Sequence, residues 1–246
     1  MEFTQEQILD LINHSNPVQL SGKDLEKADL HGLNLKGAII RDARLTGANL
    51  SETILSDADL GNANLVTANL KSAILQNANL SETMLMGASL KDAFMWRANL
   101  QGSNLENADL EGAQADDVNF EIAKMQTCNL IHTSMKNANL WGAILQFAFM
   151  EGANLQGANL QAVNMRGCFL NSANLSNTNM KGVRLVDANM ENANLSGAKL
   201  KNAHLEGANL KNAILTGAEL DGADFTGAIM PDGLEFDPQN PGRGIQ

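Results

Sequence analysis

The chain has 246 residues, a formal net charge of −11, no tyrosine and only 4% aromatic residues. An acidic balance of this size argues against direct binding to nucleic acid and against attachment to anionic membranes. The sequence has no charged-then-apolar leader and no run of about 18 apolar residues. We therefore expect neither a typical secretion signal nor a membrane span, and a cytoplasmic location.

The first residues differ from the rest of the chain and predict a short helix. Residues 8–12 are rich in Ile and Leu, which form one apolar face, and Thr4-Gln5-Glu6-Gln7 has the spacing of a capping box. We expect a helix from about Gln5 to Asn13 that ends near Asn16-Pro17. Its expected role is to cover the exposed strand edge where the repeats begin, and a partner-binding helix is the alternative.

A five-residue repeat occupies residues 24–232 without an insertion or deletion. Each unit consists of a small, a polar and a large apolar residue followed by two variable ones, as in Ala48-Asn49-Leu50-Ser51-Glu52. Every position divisible by five from Leu25 to Met230 is large and apolar, except Ala115. A period of five forms no apolar stripe on a helix, and it would flip successive leucines in a continuous strand. The chain must therefore bend once per repeat.

The composition of each slot indicates where its side chains point. The slot two residues after the large one, from position 32 to 227, is Gly, Asn or Asp in 29 of 40 cases, and these residues tolerate tight turns. The large slot and the small slot two residues before it lie on the same side of an extended segment. We expect Leu and Met to fill a narrow lumen while Ala lets the walls approach. The polar residue between them points outward and can bond the backbone at the bend.

Runs such as Ala48-Asn49-Leu50, Ala58-Asp59-Leu60, Ala153-Asn154-Leu155 and Ala208-Asn209-Leu210 resemble the A(D/N)LXX unit of the pentapeptide-repeat family. The resemblance covers residues 24–230 in one register. It implies an all-β fold, a right-handed quadrilateral β-helix in which four repeats build one coil of the solenoid, with about ten coils in all. The closing phrase at residues 227–233 is similar to that of many cyanobacterial members.

The two cysteines provide a geometric test of this arrangement. Cys128 and Cys168 both occupy the small inward slot, 40 residues apart. Four repeats per coil would stack them two coils apart, at roughly 10 Å, whereas a disulfide requires Cα atoms within about 7 Å. We expect two free, buried thiols that replace alanine as small apolar groups.

Outward slots that carry apolar residues are candidate binding surfaces. Ile54, Ile74 and Phe94 recur at 20-residue spacing, which stacks them on one face of the implied coil, and Trp96 flanks Phe94. These residues form either an apolar ladder that stabilises the wall or a patch that binds a partner or a second copy. Tryptophan is enriched at binding hot spots, which favours the second interpretation.

A second apolar set follows later in the chain. Phe149 and Phe169 share an outward slot on adjacent coils, Phe147 lies at the preceding corner, and Trp141 is expected on the opposite face. These residues again either stabilise the wall by packing or form a surface for recognition or self-association. The candidate partner surface therefore comprises Phe94, Trp96, Phe147, Phe149 and Phe169.

Six carboxylates lie within a stretch of 16 residues that contains no Lys or Arg. They predict either a solvated acidic wall or a site for a basic partner. The residues of this candidate acidic wall are Glu106, Asp109, Glu111, Asp116, Asp117 and Glu121.

The repeat stops at Met230-Pro231, since proline cannot continue a backbone ladder. We expect Leu234 and Phe236 to fold over the last coil and residues 237–246 to be mobile. The predicted divisions are an N-terminal capping helix and lead-in (1–22), the pentapeptide-repeat β-helix (23–232), and a C-terminal cap with a mobile tail (233–246).

The sequence contains no recognisable catalytic or cofactor motif. The four histidines have no metal-ligand spacing to one another or to the cysteines, and no phosphate loop or nucleophile elbow is present. A convex rod also offers no deep pocket, where active sites usually lie. We therefore expect a non-enzymatic module without cofactors or metals, which binds a protein partner or a second copy of itself.

Two alternatives to this function stay open. The resemblance implies that some family members act on DNA gyrase as acidic mimics of duplex DNA, and the charge of −11 permits this. Asn rather than Asp fills most polar slots, however, no loop interrupts the coils, and no C-terminal dimerisation helix is visible. The other alternative is a purely structural or signalling scaffold.

Overall fold

The computed structural model describes residues 5–14, 17–240 and 242 of the chain. One helix, α1, spans Gln5–His14, which confirms the predicted helix and extends it by one residue. The predicted capping residue Thr4 and the predicted helix stop at Asn16 lie outside the described residues.

The apolar face of α1 belongs to the core of the protein. Ile8 is completely buried within the same cluster of apolar side chains as the lumen of the repeats, and Leu11 and Ile12 pack against that cluster. The opposite side of α1 carries polar residues such as Glu6, and Leu9 is 37% exposed. Burial of one stripe explains why so short a helix is stable, since an isolated helix of this length is marginal in water.

Each repeat ends in a tight turn whose second residue has a left-handed backbone conformation. The φ angle is 65° at Gly47 and 58° at Asn62, for example. The N–H of the next small residue then donates to the carbonyl of the large one, as from Ala48 to Leu45 at 2.9 Å. Gly, Asn and Asp dominate this slot because they adopt a positive φ more easily than other residues. The predicted bend once per repeat is confirmed.

Successive coils pair through isolated parallel bridges between residues 20 positions apart. The N–H of Asn49 donates to the carbonyl of Ala28 in the previous coil at 2.9 Å, and the N–H of Leu50 donates to Asn69 in the next coil at 2.7 Å. One bridged column runs from Gln19 to Glu219 in steps of 20 residues. The described residues therefore form a β-helical solenoid held together by short bridges, with no longer strand among them.

The bridged residues form four columns, which give each coil four faces. Around one coil the outward residues follow in the order Asn139, Ile144, Phe149 and Asn154. Phe94 lies in the same column as Asn154. We name the faces after one outward residue each: the Asn139 face, the Ile144 face, the Phe149 face and the Phe94 face.

Leucine, methionine and alanine fill the lumen as the repeat predicts. The large-slot residues from Leu25 to Leu210 are inaccessible to solvent. Ala115 is also fully buried, and the next large-slot residue, Phe120, is the largest fully buried side chain. Hydroxyl groups in the lumen donate to backbone carbonyls, as Thr53 does to Leu30 at 2.7 Å. These bonds satisfy polar groups that would otherwise destabilise an apolar interior.

A ladder of amide hydrogen bonds follows the Asn139 face. Each Nδ2 donates to the Oδ1 of the residue 20 positions earlier, at 2.7–3.3 Å. The same oxygens accept backbone N–H groups at the bend, as Asn79 does from Ser81 at 3.2 Å. Asparagine both donates and accepts, so the ladder continues through it, whereas an aspartate only accepts and ends it. The amide ladder comprises Asp59, Asn79, Asn99, Asn119, Asn139, Asn159 and Asn179.

Asp59 ends this ladder with a carboxylate that accepts several hydrogen bonds. Its donors are the Asn79 amide at 2.7 Å, the Gly61 N–H at 3.1 Å and Arg41 at 3.2 Å. Partial burial opposes ionisation of the carboxyl, but these bonds and the Arg41 charge outweigh it and hold the pKa of Asp59 below its usual value. Arg41 reaches this position because Gly61 has no side chain: a Cβ there would lie 2.9 Å from Arg41 Nη1.

Replacing Asp59 by asparagine is expected to destabilise the protein at neutral pH by about 1 kcal/mol or less and to make it less sensitive to acid. Because folding lowers the pKa of Asp59, its carboxylate stabilises the fold above the usual aspartate pKa, and this stabilisation is lost as the pH falls through the folded value. Thermal denaturation between about pH 7 and pH 2 measures both effects. The control is Asp42→Asn, which removes an exposed carboxylate from a nearby turn. The same acid response in Asp59→Asn and wild type would contradict the prediction.

The tail covers part of the last coil. Phe236 packs against the core, with its ring centroid 5.5 Å from that of Phe225, as predicted. The prediction for Leu234 is wrong, because this residue is 46% exposed. The turn in which the Met230 N–H donates to the Leu234 carbonyl leaves the Leu234 side chain at the surface. Residues 241 and 243–246, in the tail predicted to be mobile, lie outside the described residues.

Candidate interaction surface

The first aromatic pair lies on the Phe94 face. Ile54, Ile74 and Phe94 are consecutive bridged residues, so the stacking predicted from their spacing is confirmed. The rings of Phe94 and Trp96 have centroids 5.7 Å apart and planes inclined at 56°. Tilted ring pairs at this distance attract each other, and both side chains remain more than a third exposed.

The second aromatic pair lies on the Phe149 face. Phe149 and Phe169 are bridged to each other, and their rings are stacked with centroids 5.2 Å apart and an interplanar angle of 4°. Both are more than 40% exposed. The separation equals the distance between adjacent coils, roughly 4.8 Å, to within a few tenths of an ångström. The coil spacing therefore positions the stack.

Phe147 lies at the corner between the Ile144 face and the Phe149 face, and it is 51% exposed. Its backbone has a φ of 58° in the turn slot where Gly, Asn and Asp predominate. The ring covers Gly167 of the next coil, where an added Cβ would lie 2.6 Å from the Phe147 Cε1 atom. A left-handed backbone destabilises an ordinary residue by about 1–2 kcal/mol. The same conformation occurs in every turn of the repeat, so it follows from the fold and does not by itself indicate function.

The coil separates the five predicted residues into two surfaces. Phe94 and Trp96 belong to the Phe94 face, whereas Phe149 and Phe169 share the Phe149 face with Phe147 at its corner. The two faces are adjacent around the coil, but the two aromatic sets belong to different columns and different coils. We name them the Phe94–Trp96 surface and the Phe147–Phe149–Phe169 surface.

Sequence reasoning missed one exposed residue. Ile122 is 45% exposed and has a φ of 52°, which is unusual for a β-branched side chain. Trp141, which is 43% exposed, follows Asn139 in the turn that leads to the Ile144 face, and the Asn139 face is opposite the Phe149 face, in agreement with the prediction. The available signal for Ile122 was its occurrence in a turn slot that favours Gly, Asn or Asp.

The six residues of the candidate acidic wall are spread around the coil. Sixteen consecutive residues pass round most of a 20-residue coil, so closeness in sequence places them on different faces. Several are engaged with neighbours: Glu111 pairs with Lys91 at 3.0 Å, and Asp116 accepts the Lys136 N–H at 2.9 Å. The Lys91 hydrogen bond and charge lower the pKa of Glu111.

Both cysteines are free and buried, as predicted. Each thiol donates to a lumen carbonyl, from Cys128 to Leu105 at 2.9 Å and from Cys168 to Leu145 at 2.8 Å. Burial raises the pKa of each thiol to about 12. The thiolate is the reactive form, so these groups are inert in the folded protein.

Native protein is expected to react with iodoacetamide only after unfolding, even at about pH 9, because each buried thiol stays protonated there. Mass spectrometry of native and urea-unfolded samples measures the modified fraction. Cys128→Ala and Cys168→Ala restore the commonest residue of the slot and identify the site of any labelling. Rapid labelling of the folded protein would contradict the assignment of buried thiols.

The described residues contain no group of three or more His, Cys, Asp or Glu side chains arranged to hold a metal ion. Within the same part of the chain, no helix combines the length and apolar character that a membrane crossing requires.

A β-helical solenoid with one bend every five residues, and with outward columns of stacked side chains, is the architecture of a pentapeptide-repeat protein. The profile for pentapeptide repeats matches eight segments of this chain, at residues 18–47, 63–95, 85–121, 95–130, 123–161, 133–171, 153–192 and 193–230. The chain belongs to the pentapeptide-repeat family. Membership of this family implies a right-handed β-helix.

A solved structure agrees with this assignment. The chain is similar to HetL, a pentapeptide repeat protein involved in heterocyst differentiation regulation from the cyanobacterium Nostoc sp. strain PCC 7120, with 30% identity and a TM-score of 0.51 over 96% of this chain and 99% of HetL. A protein of the Arabidopsis thaliana thylakoid lumen is 25% identical, with a TM-score of 0.32 over 37% of this chain and 67% of its own.

A trypsin-treated form of QnrB1, a plasmid-mediated fluoroquinolone resistance protein, is 19% identical, with a TM-score of 0.38 over 85% of this chain and 88% of its own. The comparison with curated protein sequences found no match.

Proposed function

We propose that this chain is a non-catalytic interaction module, a quadrilateral β-helix of about ten coils, which binds a protein partner through outward aromatic side chains. The observation that carries this proposal is the stacked pair of Phe149 and Phe169, each more than 40% exposed on a wall whose outward residues are mostly polar. Aromatic rings on a surface are characteristic of binding hot spots.

The domain organisation follows from the same proposal. Residues 1–22 would contain the capping helix and its lead-in, residues 23–232 the binding solenoid, and residues 233–246 the second cap and tail. Burial of Ile8 in the core and the contact between Phe225 and Phe236 support the assignment of both ends as caps. In this organisation the long walls remain available to a partner.

The regulatory role of HetL, stated for that protein, supports a binding function over a purely structural one. The DNA-mimic alternative has less support, because the carboxylates of the candidate acidic wall are spread over different faces and several are paired. A mimic of duplex DNA requires rows of free charge along the rod.

The test is an affinity capture from soluble extract of the source organism, quantified by mass spectrometry. Wild-type protein is compared with two double variants, Phe94→Ser with Trp96→Ser, and Phe149→Ser with Phe169→Ser. Loss of a hot-spot residue typically weakens binding by about 2 kcal/mol or more. We therefore expect a partner captured by the wild type to fall about tenfold or more with one of the double variants.

The matched control is Gln114→Ser with Asn164→Ser, which changes two polar outward residues and no aromatic ring. Circular dichroism establishes that every variant is folded, and sedimentation velocity detects self-association. Recovery of the same proteins with all variants, and no change in oligomeric state, would mean that the aromatic columns only pack the wall.

A further inference from the structure

Apolar side chains are frequent on the outside of half of one coil. Between residues 141 and 149 the outward apolar residues are Trp141, Ile144, Phe147 and Phe149, with Gly142 and Gln146 among them. Trp141, Phe147 and Phe149 are more than 40% exposed, and Ile144 is partly buried. Ile122 adjoins the belt from the coil before it, and Phe169 adjoins it from the coil after it. We name these six residues the hydrophobic belt: Ile122, Trp141, Ile144, Phe147, Phe149 and Phe169.

Contacts between coils hold the belt in place. Ile122 donates its N–H to the carbonyl of Trp141 at 2.9 Å. Its side chain covers Gly142, where an added Cβ would lie 3.4 Å from Cγ2. Phe147 covers Gly167 in the same way. At both corners of the Ile144 face, a large side chain therefore covers a glycine of the next coil. These two residues, Ile122 and Phe147, have a left-handed backbone and an exposed side chain.

The Ile144 face carries cations on either side of the belt. Lys124 is bridged to Ile144 from below, and Arg184 lies two bridged steps above it. Lys181 and Lys201 lie at the corner that Trp141 occupies, two and three coils further along. All four are exposed, and within the described part of the chain none of them forms an ion pair. Unpaired positive charge is thus concentrated here, although the protein as a whole has a charge of −11.

Three acidic groups lie near this face between residues 121 and 206, and Glu106, Asp221 and Asp224 lie one coil beyond that stretch. Asp187 pairs with Arg166 at 3.3 Å. Glu121 accepts a hydrogen bond from Asn139 at 3.2 Å, and Glu206 contacts His204 at 3.3 Å. Between residues 121 and 206 this face and its corners carry five Lys or Arg residues and three carboxylates, so this stretch can attract an anionic partner.

We propose that the hydrophobic belt and the cations of the Ile144 face together form a docking site for an acidic amphipathic segment of a partner protein. The inference rests on the proposed function and specifies the chemistry of the partner. Apolar side chains of that segment would pack on the belt, and its Asp and Glu residues would meet Lys124, Lys181, Arg184 and Lys201. Complementary charge steers such partners and disfavours basic ones.

An anionic bilayer offers similar chemistry but fits the geometry poorly. The belt passes from the corner at Trp141 across the Ile144 face and round the corner at Phe147 onto the Phe149 face. A flat surface contacts one face at a time, whereas a peptide chain can follow a corner.

The two tryptophans of the chain provide separate reporters for the test. Trp96→Phe leaves Trp141 in the belt as the sole tryptophan, and Trp141→Phe leaves Trp96 on the other surface. Each full-length variant is titrated with a flexible synthetic peptide in which Leu and Phe residues alternate with Glu. A second peptide, in which Lys replaces every Glu, serves as the control.

We expect the acidic peptide to shift the emission of Trp141 and to leave that of Trp96 unchanged. In the Trp96→Phe background, Lys124→Glu with Arg184→Glu is expected to weaken binding about tenfold or more, and Ile144→Asp to weaken it similarly. Lys71→Glu reverses an exposed charge on another part of the rod and should have little effect. Salt should weaken the interaction.

Three results would overturn the inference. One is equal affinity for the acidic and basic peptides, or no binding of either. Another is a Trp141 shift that depends on protein concentration without peptide, which would assign the belt to a second copy. The third is a stronger shift with vesicles of phosphatidylserine and phosphatidylcholine than with the acidic peptide. If affinity capture still depends on Phe94 and Trp96, the proposed function stands even though the belt is not the docking site.

Discussion

Truncation of Phe120 to alanine is expected to lower the free energy of unfolding by about 3–5 kcal/mol. Phe120 is the largest fully buried side chain, and the large slot before it holds only Ala115. Removal of the ring would leave two adjacent large slots with small residues, and a closed lumen can collapse only partly around the cavity. Urea unfolding monitored by circular dichroism measures the loss.

We also expect the stability effects of substitutions at Ala115 and Phe120 to be coupled. Ala115→Leu alone is expected to overpack the lumen and destabilise it by about 1–3 kcal/mol, whereas Ala115→Leu with Phe120→Leu restores the commonest residue in both slots. The double variant should therefore be more stable than the sum of the two single changes predicts. Strict additivity would show that the two residues do not share the same space. Leu90→Met, a volume-conserving change in another coil, is the control.

Replacement of Phe147 by glycine is expected to separate binding from stability. The residue has a φ of 58° and is 51% exposed, so glycine should relieve the left-handed backbone and raise stability by about 1 kcal/mol. The same change removes a central ring of the hydrophobic belt, and binding of the acidic peptide should weaken by about 2 kcal/mol. Thermal denaturation and the Trp141 titration measure the two effects on one protein.

The matched control for Phe147→Gly is Asn137→Gly. Asn137 has a φ of 56° in an equivalent turn slot. Asparagine tolerates this conformation better than phenylalanine does, so the control should change stability and peptide binding little. A destabilised Phe147→Gly variant would mean that the ring stabilises the wall through Gly167, and that its strained backbone reflects packing more than binding.

Much of the fold could be predicted because a single period sets it. Five residues fit neither a helix nor a continuous strand, so the bend and the inward direction of Leu and Ala follow directly. The free state of Cys128 and Cys168 follows from the same spacing, as does the stacking of Phe149 on Phe169. Each of these features depends only on which slot and which coil a residue occupies.

The candidate surface was harder to predict because it depends on neighbours around the coil as well as along it. Residues grouped in sequence, such as Asp109 and Glu121, separate round the coil, whereas Ile122 and Trp141 come together from adjacent coils. Contacts between side chains of adjacent coils are a second reason. Phe147 lies over Gly167 only because residue 167 has no Cβ. The five-residue pattern shows whether a residue points inward, points outward or lies in a turn. It does not show which side chains of neighbouring coils touch each other.

The amide ladder of the Asn139 face gives the solenoid a dipole moment along its axis. Each side-chain N–H points toward the N-terminal end, so the dipoles of six successive amide hydrogen bonds add, as peptide dipoles do in a helix. The positive pole falls at the anionic Asp59. Lys199, which follows Asn179 in the bridged column, lies at the negative pole. Whole coils with asparagine could thus be added between the poles, but the two ends require opposite charges and are not interchangeable.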